Sequence, residues 1–190
     1  MKRILCYLAG ILLIGLIPIV ISCSKENSSK DLGKGRTAPK VFTPEELLSA
    51  EEATELSGFI VSIETTSLMK DTQKGIISER YKYDINESNT VHGLFQIEQN
   101  GFKPAAEISS GNTAKRSFET EMNFSKNEIT ALNDLGEQAF TFNNNGQLHM
   151  LYKDYYIIAA FDADAYTNEK NAQLNINLGH RILANLKNKL

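Results

Sequence analysis

The chain contains no tryptophan, four prolines, three histidines and two cysteines in 190 residues. The shortage of thiols excludes most. Cys6 lies inside the apolar N-terminal run and Cys23 closes it, so a chain cut ahead of Cys23 keeps one cysteine and forms no internal disulfide. Cysteine-based zinc sites are excluded for the same reason. His92, His149 and His180 fall in no His-x-Glu, His-Glu-x-x-His or His-x-x-x-His spacing, and each is expected as a scattered surface histidine. No Gly-x-Ser-x-Gly elbow, no Gly-x-x-x-x-Gly-Lys phosphate loop and no Gly-x-Gly-x-x-Gly fingerprint occurs. Basic charge is also short: the formal net charge is −3, which lacks the footprint that binds nucleic acid or anionic headgroups.

Long apolar stretches are confined to the N-terminus. Lys2 and Arg3 precede an uncharged run from Ile4 to Ile21, with Gly10, Gly15 and Pro18 inside it, and Ser22-Cys23 at its end. The segment Val20-Ile21-Ser22-Cys23 resembles the lipobox of a bacterial lipoprotein signal peptide, with Val20 where leucine is most usual. The resemblance implies removal of residues 1–22, lipid on Cys23 and a mature chain that starts there. Eighteen uncharged residues also approach the length of a membrane span, so an uncleaved anchor is the alternative. On either reading the folded part sits at a membrane surface outside the cytoplasm. Loss of Lys2 and Arg3 takes the formal charge from −3 to about −5, so the lipid rather than charge must hold the chain at the bilayer.

Residues 23–41 read as a tether. Ser24 to Asp31 is polar, and Gly33, Gly35 and Pro39 interrupt any periodicity. A flexible segment of that length reaches about 23 Å. Folding signals begin at Phe42 and define one domain over 42–190. Thr43-Pro44-Glu45-Glu46 is a capping box with proline at the first helical position, and Phe42 and Leu47 are placed as its hydrophobic staple. Ser49-Ala50-Glu51-Glu52 repeats the signal, and Gly58 supplies a stop. The pattern predicts short helices at 44–48 and 50–57. Strands follow near 59–65, 77–85 and 91–99, with Phe59, Val61, Ile63, Tyr81, Tyr83, Ile85, Phe95 and Ile97 inward, and 70–75 as a polar connection.

The second half repeats this plan loosely. Asn112 is placed to cap a helix carrying Ala114, Phe118 and Met122, and strands are expected at 138–142, 147–152 and 155–161. Asn143-Asn144-Asn145-Gly146 marks the turn between the first two. The last helix carries Ala172, Ile176, Gly179, Leu183, Leu186 and Leu190 as one stripe, widened by Ile182. The expected fold class is therefore α+β: an antiparallel sheet with helices packed on it, two helix-plus-three-strand halves and a long C-terminal helix. The run Leu47-Leu48-Ser49-Ala50-Glu51-Glu52 through Gly58, with Leu135-Gly136-Glu137-Gln138-Ala139-Phe140 and the last helix, resembles small bacterial lipoprotein domains of the PsbP-like α/β/α sandwich type. That resemblance implies a fold and a setting but no activity.

The most site-like acids are Asp162 and Asp164, two residues apart at a strand end. An EF-hand loop from Asp162 would need glycine at 167 and glutamate at 173, where the chain has Thr167 and Gln173. Solvated acids ahead of the last helix are the better explanation, and an envelope hydrolase built on them is the less favoured reading. Aromatic content gives the best hint of recognition. Tyr81, Tyr83, Tyr155 and Tyr156 fall on expected strands, and tyrosine suits half-exposed binding surfaces, although rings that cover the sheet edge or pack under helices are the favoured explanation. The expectation is a lipid-anchored, non-enzymatic binding or accessory domain with no cofactor or metal. Its partners would be the membrane through Cys23 and an envelope protein or small ligand. A carrier with an apolar cavity between sheet and helix is the alternative.

Overall fold

A computed structural model describes residues 39–86, 89–162 and 167–190. Cys23, the segment 1–22, most of the tether and Asp164 lie outside the described residues, as does the side chain of Ile85.

Both N-terminal caps form as their residues dictate. The Thr43 N–H donates to Glu46 Oε2 at 2.7 Å, opening α1 (Pro44–Leu47). Ser49 and Glu52 exchange reciprocal bonds of 3.0 and 3.2 Å at the start of α2 (Ala50–Ser57). Gly58, at φ 73°, ends that helix by donating its N–H to the Thr54 carbonyl. Strands β1 (Ile60–Ile63), β2 (Met69–Asp71), β3 (Ile76–Asn86) and β4 (Asn89–Gln99) follow. Helices α3 (Ala105–Ser109) and α4 (Ala114–Phe124) lead to β5 (Ile129–Leu132), β6 (Gln138–Phe142), β7 (Leu148–Tyr152), β8 (Tyr155–Ala160) and α5 (Asn168–Lys189).

All eight strands form one antiparallel sheet in the order β1-β3-β4-β8-β7-β6-β5, with β2 also beside β3. Two three-strand meanders, β1-β3-β4 and β6-β7-β8, meet where β4 pairs with β8. Helices cover both faces: α1, α2 and α5 pack together on one, and α4 packs on β7 and β8 from the other. The central strand β8 is accordingly apolar on both sides, reading Tyr-Tyr-Ile-Ile-Ala-Ala.

Several elements depart from the expectations. β2 and β5 are short edge strands with little burial, and both are held by backbone pairing rather than by an apolar face. α3 is one turn of helix with no buried residue. The cap of α4 is Thr113, whose hydroxyl accepts from the Arg116 N–H, because the Asn112 side chain is drawn away to Glu107 and Lys103.

The buried face of α5 is rotated from the expected stripe. Asn171, Leu174, Asn175, Leu178, Gly179, Ile182, Leu183 and Leu186 are buried, whereas Ala172 and Ile176 are half-buried and Leu190 is exposed. Two asparagines sit on the apolar side because the sheet end needs hydrogen bonds there. Asn175 Oδ1 accepts from the Phe161 N–H at 2.9 Å, and its Nδ2 donates to the carbonyls of Phe161 (2.9 Å) and Gly146 (3.0 Å). Gly179 lets the helix approach the sheet, since a Cβ there would overlap a Leu148 methyl. Leu174, Leu178, Ile182, Leu183 and Leu186 of α5 join the core cluster of the sheet on this face.

Candidate functional site

The four candidate tyrosines do not make a surface. Tyr81, Tyr83, Tyr155 and Tyr156 are all buried, none more than 5% exposed. Alternation on β3 turns Tyr81 and Tyr83 toward α1, α2 and α5, while adjacency on β8 sends Tyr155 and Tyr156 to opposite faces of the sheet. Their hydroxyls are engaged inside the protein. Tyr81 donates to the Leu48 carbonyl at 2.5 Å, Tyr83 to the Asp162 carbonyl, and Tyr155 to the Lys40 carbonyl at 2.8 Å. The Tyr156 hydroxyl lies 2.6 Å from His149 Nδ1. Burial pushes the Tyr81 and Tyr156 hydroxyls far above the ordinary phenol range, and burial with Asp154 nearby pushes Tyr155 up to about 12. Tyr81, Tyr83 and Tyr155 are structural pegs that pin backbone to the sheet, and Tyr156 ties to a side chain of the neighbouring strand β7. The uninterrupted apolar run of β8 was the sequence signal for it.

The acids and histidines also find distinct places. Asp162 is exposed, its carbonyl takes the Tyr83 hydroxyl, and its Oδ1 accepts from Asn171 Nδ2 at 2.6 Å. Its carboxylate is thus committed to the start of α5. His92 is half exposed near Glu64 at 3.7 Å, and His180 is exposed. His149 departs from its expected surface position. It is 4% exposed, stacked on Phe140 with centroids 4.7 Å apart, and burial lowers its pKa to about 4. Position 149 is opposite Phe140 and faces the α4 side, which explains the burial. Among the described residues no group of three or more His, Cys, Asp or Glu side chains is placed to hold a metal.

A cleft of about 580 Å³ opens between α3 and α4, lined by Glu107, Ser110, Asn112, Arg116, Ser117, Thr120 and Glu121. Behind this wall is a buried ion pair. Lys103 Nζ lies 2.5 Å from Glu98 Oε1, with side chains 1% and 7% exposed. Lys103 also donates to the Asn112 carbonyl and Oδ1 at 3.2 and 3.1 Å, and the Ser117 hydroxyl donates to Glu98 at 2.7 Å. Asn100 Oδ1 accepts from the Ala114 N–H at 2.9 Å, while its Nδ2 holds Asp154 at 2.7 Å. This network fixes the start of α4 to the sheet. Neither long helical periodicity nor any motif announces it, since its members come from β4, the following 3-10 turn, the α3–α4 connection and α4.

No family model, no curated protein and no solved structure matches this chain. Chemical capability must therefore be read from the residues alone. Glu98 is paired with Lys103 and accepts from the Ser117 hydroxyl, so both groups of that hydrogen bond belong to the network that fixes α4. The cleft offers hydroxyls, an arginine and two glutamates, with Asn112 and Ser117 hydrogen-bonded to the ion pair, groups suited to holding a polar surface or ligand. No helix among the described residues is long and apolar enough to cross a membrane.

Proposed function

We propose that the chain is a bacterial envelope lipoprotein, acylated at Cys23, whose α/β/α domain is a non-enzymatic binding or accessory module outside the cytoplasm. The observation that carries the reading is the segment Val20-Ile21-Ser22-Cys23 closing an uncharged run after Lys2 and Arg3. The acidic balance supports it, because a domain without basic excess needs lipid for attachment. The internal use of the tyrosine hydroxyls and the committed Asp162 carboxylate favour binding over catalysis. The α3–α4 cleft is the contact region of choice, being polar and open.

The test compares partner recovery from detergent extracts of the native host for the wild type, Thr120→Arg and Ile60→Arg. Thr120 lines the cleft and Ile60 is 74% exposed on the distant edge strand. The reading expects Thr120→Arg to lose a partner that Ile60→Arg keeps. Equal recovery by the wild type and both variants would remove the cleft from the account.

A further inference from the structure

His149 occupies an unusual place for an imidazole. Its Nδ1 meets the Tyr156 hydroxyl at 2.6 Å, its Nε2 is buried without a hydrogen-bond partner, and Phe140 and Phe142 close over the ring at 4.7 and 5.1 Å between centroids. Phe118 of α4 rests on two of the rings that flank it, 5.4 Å from Phe140 and 5.5 Å from Tyr156. A proton added at the imidazole thus creates a cation whose second N–H is buried with no acceptor among the described residues, directly beneath the anchor of α4.

We propose that His149 makes the α4 layer acid-releasable: proton uptake by its ring detaches α4 from the sheet while α1, α2 and α5 stay packed on the other face. The groups facing the ring support this polarity. From β6 they are the uncharged Phe140 and Phe142, and from β8 the Tyr156 hydroxyl. The acids bearing on the pair are Glu121 of α4 and Glu98 of β4, whose charge acts at Tyr156. Glu98 is itself ion-paired with Lys103. At the imidazole burial is the cause of the depressed pKa.

The opposite layer answers to different groups. Glu52 links α2 to α5 through Asn185 at 3.0 Å and Arg181 at 3.3 Å. Burial would raise this carboxyl, but the bonds from Asn185, the Ser49 backbone and Arg181 hold it below its ordinary 4.5. It therefore stays ionised at pH 5, where a released His149 is already protonated. Because Arg116, Ser117, Thr120 and Glu121 ride on α4, the cleft wall leaves with the helix.

The sign follows from a folded-state pKa near 4 against 6.5 when released. Stability from this group is complete above pH 6.5 and declines as the pH falls toward 4. Between pH 7.5 and 5 the opening equilibrium rises about 30-fold. Amide hydrogen exchange on the detergent-solubilised full chain, corrected for intrinsic rates, should show that loss of protection in α4 and none in α5. In His149→Gln, which keeps a partner for Tyr156 but cannot titrate, the α4 loss should vanish. Should that variant not fold, histidine-selective NMR titration of the wild type decides, with His92 and His180 as exposed references. Three results would overturn the proposal: α4 and α5 losing protection together, His149→Gln retaining the pH dependence, or His149 titrating near 6.5 with α4 still protected.

Discussion

Truncating Asn175 to alanine should destabilise the domain by about 3–5 kcal/mol, far beyond the effect of removing an asparagine from a helix surface. The side chain is fully buried and makes three hydrogen bonds, to the N–H and carbonyl of Phe161 and to the carbonyl of Gly146. Each bond contributes about 1 kcal/mol net. A further part of the loss is the Phe161 N–H, which is left in an apolar interior without a partner, at about 1–3 kcal/mol. Alanine's better helix propensity returns only about 0.6 kcal/mol. With a urea m-value of about 2 kcal/mol/M, the unfolding midpoint should fall by roughly 2 M. Asn175→Asp retains the acceptor for Phe161 but loses both donors and turns a carboxylate toward two carbonyls, so it should be worse than alanine at neutral pH and recover in acid. A midpoint shift for Asn175→Ala worth less than about 1 kcal/mol would refute the claim that this residue holds the sheet end to α5.

Lys103→Met should cost about 3–5 kcal/mol by urea unfolding, because it strands the Glu98 charge inside the protein. The double replacement Glu98→Leu with Lys103→Met should recover most of that loss, and a double variant as unstable as the single would contradict the pairing. Gly179→Ala should lower stability by about 1–3 kcal/mol, since its methyl collides with the Leu148 side chain where α5 packs on the sheet. Asn185→Ala should bring the Glu52 carboxyl back toward its ordinary value in a carbon-detected NMR titration. The Glu52 contribution is present above pH 4.5 and lost as the pH falls through the lowered value, so this variant should also show a smaller loss of stability between pH 5 and 3.

Local chemistry made much of the fold legible. Two capping boxes, the Gly58 stop and the Asn143–Gly146 turn each satisfy backbone groups within a few residues, so their consequences do not depend on the rest of the chain. Antiparallel pairing followed from short connections. What escaped detection depends on distant partners. β2 and β5 exist because a neighbouring strand offers unpaired backbone groups, not because of their own side chains. The α5 stripe was misplaced because hydropathy treats asparagine as solvent-seeking, whereas Asn175 meets three polar backbone atoms at the sheet end. The tyrosines likewise resemble a recognition set until the helices on both faces are in place. His149 was assigned to the surface for the same reason, as nothing adjacent in sequence reveals Phe118 above its aromatic cage. The candidate cleft could not be foreseen, since its wall and floor converge from segments spanning Glu98 to Glu121.

Attachment through Cys23 is the central claim, and intact-mass analysis of the protein extracted from native membranes tests it most directly. The account expects a chain that begins at Cys23, lacks residues 1–22 and carries acyl mass on its N-terminal cysteine, with that mass absent from Cys23→Ala. A membrane-bound species that retains Met1, or one that starts at Cys23 without added lipid, would contradict it.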